Sequence, residues 1–280
     1  MDYALTIFPT EYTIQPAELA REAEDRGFES IWFPEHTHIP ASRVSPWPGG
    51  GPLPQEYYDT YDPFVALSFA AAATTKLKLG TGIALMVERD PITAAKVVAS
   101  LDVLSGGRVL FGIGGGWNAE EMENHGTAFK GRFKVLRERV EAMKAIWTEE
   151  KASYAGEHVK FEEIFSNPKP TQKPHPPVLL GGEAPWAVRR AVRYCDGWMP
   201  IGLRAEPEHY RKLVAEECEK QGRNPEEISL SMFGAPTKEE KLAAMRDAGF
   251  ARAIFFLPAA GRDEILPKLD RYQKFIEGVG

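Results

Sequence analysis

The sequence predicts a closed (β/α)₈ barrel, and three observations carry that expectation. Short apolar runs rich in β-branched and aromatic residues alternate with stretches of helical period, the pattern of a parallel sheet with crossover helices. The alternation recurs eight times along the chain. Eight such units within 280 residues suit a closed barrel better than a doubly wound sheet, where about six strands or fewer are usual.

The elements follow in order. A first strand at residues 3–8 leads to a helix opened by Pro16 with Glu18 and closed by Gly27, a proline-first, glycine-last asymmetry. A second strand at 30–34 enters a Pro- and Gly-rich excursion over 36–62, and the apolar run 63–73 follows. The third strand, 77–85, precedes a helix opened by Asp90 and Pro91. After the fourth strand, 109–114, Phe133, Leu136, Val140, Met143 and Trp147 recur every three or four residues, as one buried helical stripe requires. A second excursion, 149–177, separates that helix from the fifth strand at 178–181. Pro185 opens the next helix, the sixth strand runs over 197–201, and Pro207 opens a helix with Gly222 behind it. The seventh strand, 228–233, precedes a helix capped by Thr237 and closed by Gly249, and the eighth strand occupies 253–257. The chain reads as one domain over 1–280, and its two excursions read as lids or binding loops.

Composition narrows the partners. Asp and Glu number 40 against 34 Lys and Arg, and the basic residues are scattered, so no stripe awaits a nucleic-acid backbone. No apolar run is long enough to span a bilayer, and no basic segment precedes an apolar one at the N-terminus, so the expected location is the cytoplasm. Cys195 and Cys218 lack the number and spacing of a disulfide framework or a zinc site and read as reduced thiols.

In a barrel, the loops after the strands open onto the active face. Strand two ends in Glu35, His36, Thr37 and His38, a carboxylate and two imidazoles at the mouth. His36 could move a proton near neutral pH or merely close a hydrogen-bond network. As metal ligands, Glu35, His36 and His38 lack the helical spacing of His-Glu zinc motifs, so no metal is expected. Strand three ends in Gly80, Thr81, Gly82 and Ile83, where glycines point to a bulge or to a ligand lying close on the backbone. Strand four ends in Gly114, Gly115, Gly116, Trp117 and Asn118, a glycine run with no Walker lysine after it. Strand five runs through Gly181 and Gly182 into a Pro-started helix, whose free N–H groups could cradle a phosphate, with Glu183 turned away; a tight turn explains the same residues. Asp102 and Arg108 read as a salt bridge pinning a turn.

Taken together, these stretches resemble the luciferase-like monooxygenase superfamily, and within it the branch that uses coenzyme F420, a 5-deazaflavin. The carriers are Trp32-Phe33-Pro34-Glu35-His36-Thr37-His38-Ile39-Pro40, Leu79-Gly80-Thr81-Gly82, Arg89-Asp90-Pro91, Leu101-Asp102-Val103-Leu104-Ser105-Gly106-Gly107-Arg108, Gly114-Gly115-Gly116-Trp117-Asn118-Ala119-Glu120-Glu121, Pro174-His175-Pro176-Pro177, Gly181-Gly182 and Asp196-Gly197-Trp198. The resemblance implies a luciferase-like TIM barrel, incomplete or irregular, with a non-prolyl cis peptide near Gly82 and Ile83 backing the cofactor ring. It implies Glu35 and His36 beside the ring as catalytic residues. Thr81, Gly82, Ile83, Gly116, Asn118, Gly181 and Gly182 would hold the ring and its phosphate tail, and Pro200 and Ile201 would flank them. It implies a homodimer through helices two and three. Trp117 stands where sugar-phosphate dehydrogenases of the superfamily carry an acidic residue, which argues against glucose-6-phosphate oxidation.

The expected reaction is hydride transfer between coenzyme F420 and a small organic substrate, with His36 handling the proton. An FMN-dependent monooxygenase using dioxygen is the alternative. A barrel glycoside hydrolase pairing Glu35 with Glu183, or a barrel that binds a flavin without turnover, stands behind these.

Overall fold

The computed structural model describes residues 1–279, and eight parallel strands close into a barrel. The strands in chain order are β1 (Asp2–Thr6), β2 (Ser30–Phe33), β3 (Lys78–Thr81), β4 (Val109–Ile113), β5 (Ala152–Ala155), β6 (Lys160–Ile164), β7 (Val178–Gly181), β8 (Gly197–Met199), β9 (Ser229–Phe233) and β10 (Arg252–Phe256). Around the barrel the order is β1, β10, β9, β8, β7, β4, β3, β2, so β5 and β6 lie outside it as a two-stranded antiparallel hairpin. The helices are α1 (Pro16–Asp25), α2 (Glu56–Asp59), α3 (Pro63–Ala73), α4 (Pro91–Leu104), α5 (Ala119–Asn124), α6 (Arg132–Thr148), α7 (Trp186–Tyr194), α8 (Pro207–Gln221), α9 (Glu239–Asp247) and α10 (Arg262–Val279).

The ring is closed rather than incomplete, although only two residue pairs join β3 to β4 and two join β8 to β9. Strand three is shorter than expected because the chain leaves the sheet at the cis Gly82–Ile83 peptide and touches it again only at the Ala84–Ile113 bridge. The hairpin within 149–177 escaped sequence reading because its strands are short and largely exposed, so no buried alternation marks them. Glu138 of α6 holds its turn by accepting from the N–H groups of Glu157, His158 and Val159.

Most helix punctuation is where the sequence puts it. Proline opens α1, α3, α4 and α8, Asp62 and Asp90 accept N-terminal N–H groups of α3 and α4, and Gly222 ends α8 with φ 68°. Two assignments change. The α9 N-cap is Lys238 rather than Thr237, and α7 starts at Trp186 with Pro185 as its N-cap. The expected Asp102–Arg108 pair does not form. Asp102 accepts from the Gln172 backbone and side chain, while Arg108 donates to the carbonyls of Ala71, Thr74, Leu77 and Ser105. Both are structural, but each fastens a different loop.

The core has two layers. Inside the ring, Ala4, Trp32, Leu110, Leu179, Met199, Phe233 and Ile254 form a plug. Trp32 is its largest ring and is fully buried, a placement whose loss on truncation costs about 3–5 kcal/mol. Between strands and helices lies the larger layer, which takes in Leu136, Val140, Met143 and Trp147 of α6. At the amino end of the barrel, Arg252 and Lys78 both bind Glu29, and these cations overcome burial to hold its carboxyl at about 2. Val65 and Phe69 on α3 and Leu104 on α4, the helices expected to meet a second copy, stand exposed. Among the described residues no helix is long and apolar enough to cross a membrane.

Candidate active site

The end of β2 sets two side chains in opposite directions. Glu35 is 3% exposed and turns behind the rim, accepting from Leu85 N–H at 2.6 Å and Arg89 Nε at 2.6 Å. Burial pushes its carboxyl above the usual range while Arg89 pulls it back. Arg89 also reaches Asp62, so the end of strand two, the segment after the bulge and the start of α3 are tied at one guanidinium. His36 turns to α5 instead. Its Nδ1 lies 2.7 Å from Glu121 Oε2, and the other Glu121 oxygen accepts from Thr37 N–H at 2.9 Å. Glu121 is fully buried. A carboxylate at Nδ1 requires a proton there, which leaves Nε2 as the nitrogen that can face a reactant.

Asn118 completes this cluster. Its Nδ2 donates to Glu121 at 3.3 Å, but its Oδ1 is buried with no partner. A buried acceptor left unsatisfied costs about 1–3 kcal/mol, so such an atom in a cleft marks a place where a donor can bind. Nearby, Thr37 Oγ1 bridges His38 and His125 at 2.9 and 2.7 Å, and His38 Nε2 meets Asn124. Glu35, His36 and His38 thus address three different partners and do not converge as metal ligands would.

The strand-end glycines separate into two kinds. Gly80 and Gly112 make room for the protein itself: a Cβ at Gly80 would lie 2.2 Å from the Trp32 ring, and one at Gly112 would lie 2.0 Å from Thr81 O. Each is explained by the protein's own atoms, the Trp32 ring for the first and the Thr81 carbonyl for the second. Thr81 is likewise occupied, donating its hydroxyl to Gly112 O at 2.6 Å while 1% exposed, so the side chain expected at a cofactor instead ties β3 to β4. Gly82 meets Phe233, and Ile83 fills the space beside Gly114 and Gly181, joining the bulge to both neighbouring strand ends. Gly116 has φ 65° and Gly182 has φ 128°, conformations that side chains rarely adopt, and both are partly exposed at the mouth.

On the β7 side, the Gly181–Gly182 turn is held to β8, because Gly182 N–H donates to Met199 O and Gly182 O accepts from Trp198 Nε1. Pro200 O accepts from Phe233 N–H, and Ile201, 43% exposed, bridges to Phe233. Glu183 is exposed and 3.8 Å from Arg204, so it does not join Glu35 as an acid and base pair. Close to the α6 start, the guanidinium of Arg132 lies 4.5 Å from the Phe133 ring and that of Arg190, on α7, lies 3.8 Å from it. Arg132 donates to the Gly115 and Phe129 carbonyls. Neither arginine is paired with a carboxylate among the described residues. Burial, and the charge of Arg190, pull Arg132 below its ordinary range.

The luciferase-like monooxygenase family model matches residues 13–276. The chain belongs to that family. An uncharacterised protein of Mycobacterium tuberculosis is 40% identical over 281 residues, covering 97% of each chain. Among solved structures, an F420-dependent secondary alcohol dehydrogenase in complex with an F420-acetone adduct superposes with TM-score 0.77 at 17% identity, covering 100% of this chain and 99% of that one. The monooxygenase RslO1 from Streptomyces bottropensis gives TM-score 0.77 at 20% identity, covering 99% of both. At these identities the solved structures show a shared fold.

The roles of several site residues of this luciferase-like protein escaped sequence reading. Glu121 stands three residues after Asn118, a spacing that reads as an N-terminal capping box. The fold uses it otherwise: Asn118 makes no cap bond, and Glu121 reaches across to His36. Arg132 opens the α6 stripe and Arg190 sits in α7, positions whose local pattern gives no reason to look at the mouth. Phe133, expected in the buried stripe, is only partly buried and serves the two arginines.

Proposed function

We propose that this luciferase-like protein is an oxidoreductase that moves a hydride between coenzyme F420 and a small organic substrate, with His36 giving or taking the accompanying proton. The observation that carries this reading is the His36–Glu121 pair at the barrel mouth, fixed at Nδ1 and with Nε2 left for a reactant. The residues suit a flat heterocycle with an anionic arm. Asn118 Oδ1 is a buried acceptor awaiting a donor, and Arg132 and Arg190 are cations awaiting an anion.

When bound, the deazaflavin supplies a carbon that carries hydride. Asn118, Gly116, Gly82 and Ile83 would line its ring, with Pro200 and Ile201 flanking. The Gly181–Gly182 turn and the arginine pair would hold its phosphate-bearing tail. His36 takes a proton at Nε2 when an alcohol is oxidised, and gives it to oxygen when a carbonyl is reduced. Glu121 keeps the ring oriented and stabilises the imidazolium, as a carboxylate behind a catalytic histidine does. Glu35 acts as a positioning residue, since its carboxylate holds Leu85 N–H and so fixes the segment beyond the bulge.

FMN is the second reading, because the arginine pair would satisfy a single phosphate too. Titrating cofactor-free protein with F420 and with FMN, and following absorbance, separates the two. The expected outcome is a saturable shift with F420 and weaker binding of FMN. Tight FMN binding with no F420 shift would overturn the reading.

A further inference from the structure

A cavity of about 300 Å³ lies where the α5–α6 connection, α6 and the β5–β6 turn meet. Thr127, Lys130 and Gly131 of the connection, Val135 and Arg139 of α6 and His158 of the turn line it. None of the site residues at the barrel mouth is among its walls. That volume stands at the lower end of the range of about 300–1,000 Å³ that ligand pockets span, which suits a small molecule.

Each wall is fixed by contacts of its own. Gly131, Val135 and Arg139 follow one another at four-residue spacing, so they share one face at the start of α6. Gly131 turns the chain into that helix with φ 90°. Thr127 is buried and donates its hydroxyl to Val87 O at 2.6 Å, which pins the connection to the segment beyond the β3 bulge. Glu138, next to Arg139, accepts from the N–H groups of Glu157, His158 and Val159 and so holds the turn that carries the imidazole. Walls that stand without a ligand lower the entropic cost of binding one.

The charge of these walls has one sign. No lining residue is acidic, whereas Lys130 and Arg139 are cations and His158 adds a ring N–H. Arg139 is half-buried and donates Nη1 to Met86 O at 2.9 Å. Among the described residues, no carboxylate lies within ion-pair distance of Arg139 or Lys130. The carboxylates in the neighbourhood are engaged elsewhere. Asp90 accepts from Thr93 N–H at 2.8 Å, Glu138 holds the turn, and Glu157 lies 3.8 Å from Lys134 Nζ and 3.9 Å from His158 Nε2. Glu88, pushed up to about 9 chiefly by burial, keeps its proton at neutral pH. Burial pulls Arg139 below its ordinary range more strongly than Asp90 and Glu88 raise it, and an anion would offset that cost.

We infer that this cavity is an anion site, separate from the arginine pair at the mouth, that takes a small phosphate dianion: inorganic phosphate or the phosphoryl end of a small ester. A guanidinium can donate to two oxygens of one phosphate, and Lys130 and His158 add an ammonium and a ring N–H, a donor set larger than a monocarboxylate can use. Because Arg132 and Arg190 are not among its walls, the inference does not depend on the oxidoreductase reading of His36.

The test follows the ring protons of His158 by NMR on the full chain at about pH 8, where phosphate is a dianion, with the signals assigned through His158→Gln. Inorganic phosphate should move them saturably, and chloride at equal ionic strength should not. Acetate should bind at least roughly tenfold more weakly than phosphate. At this signal Arg139→Gln should weaken phosphate about tenfold and Lys130→Gln about three- to fivefold, while Arg190→Gln should change nothing. Should Arg139→Gln fail to fold, Lys130→Gln decides, because Lys130 is exposed. Glycerol 3-phosphate separates the two sources: tighter binding than phosphate assigns the site to an ester, and any other order assigns it to the free ion. A His158 signal that phosphate does not move overturns the inference, whether or not phosphate binds at the mouth. Equal responses to phosphate and acetate, or undiminished affinity in folded Arg139→Gln, overturn it as well.

Discussion

The β2 side of the barrel mouth and its β7 side handle charge in opposite ways. On the β2 side, Glu35 faces Arg89 and Glu121 faces His36, with both carboxylates buried. On the β7 side, Arg132 and Arg190 share the Phe133 ring with no carboxylate between them. Buried charge is costly unless paired. On the first side Glu35 and Glu121 therefore have their partners before any ligand arrives, whereas the two half-exposed arginines of the second have no carboxylate partner among the described residues. Chemistry needs a side chain whose geometry does not wait for the substrate, whereas recognition can use a charge deficit as affinity.

Removing the imidazole should break the comparison most severely. We expect His36→Ala to slow hydride transfer about 10²- to 10⁴-fold in single-turnover absorbance measurements, with cofactor affinity nearly unchanged, since the cofactor's arm is assigned to the other side. An unchanged rate would leave the β2 side without a chemical role.

Glu88 sharpens the comparison, because it is the carboxylate the β2 side cannot neutralise. Burial first, then the charges of Glu121 and Glu35, push it up to about 9, and its Oε2 has no hydrogen-bond partner, with His125 Nε2 3.9 Å away. The folded protein thus keeps a proton that the unfolded chain releases above its ordinary value of 4.5. Stability from this group is intact below that value and declines as pH rises to about 9. Glu88→Gln should match the parent near pH 4 and exceed it by on the order of 2–4 kcal/mol at pH 8, as read by urea unfolding at both pH values. Equal stability at the two would show that Glu88 is ionised in the fold.

The smallest expected effect lies on the β7 side. Arg190→Gln should weaken F420 about tenfold, and the deficit should shrink as salt is raised, because an exposed part of the attraction is screened. The rate of the bound complex should not move. Unaltered affinity would mean that the arginine pair serves packing against Phe133 only.

Much of the barrel was legible because each strand and helix announces itself through neighbours in sequence. Leu136, Val140, Met143 and Trp147 of the α6 stripe, the proline starts of α1, α4 and α8 and the cap at Asp90 are local patterns, and they stand where the local rules put them. The candidate site was legible only as residue types at strand ends. His36 was visible there, but Glu121, 85 residues away, was not visible as its partner. Gly80 and Gly112 were visible as glycines, yet their reasons are the Trp32 ring against the first and the Thr81 carbonyl against the second, atoms that reach them only across paired strands. Thr81 had the look of a ligand contact and is spent on Gly112 O.

By itself, then, the amino-acid order determined the alternating units, their punctuation and the rim on which polar groups gather. Closure of the ring decided which groups meet: that Glu35 takes Arg89, that Glu121 takes His36, and that two arginines are left together. Periodicity and capping are set by atoms a few residues apart, whereas pairing among buried charges depends on distances that exist only once strands from both ends of the chain lie side by side.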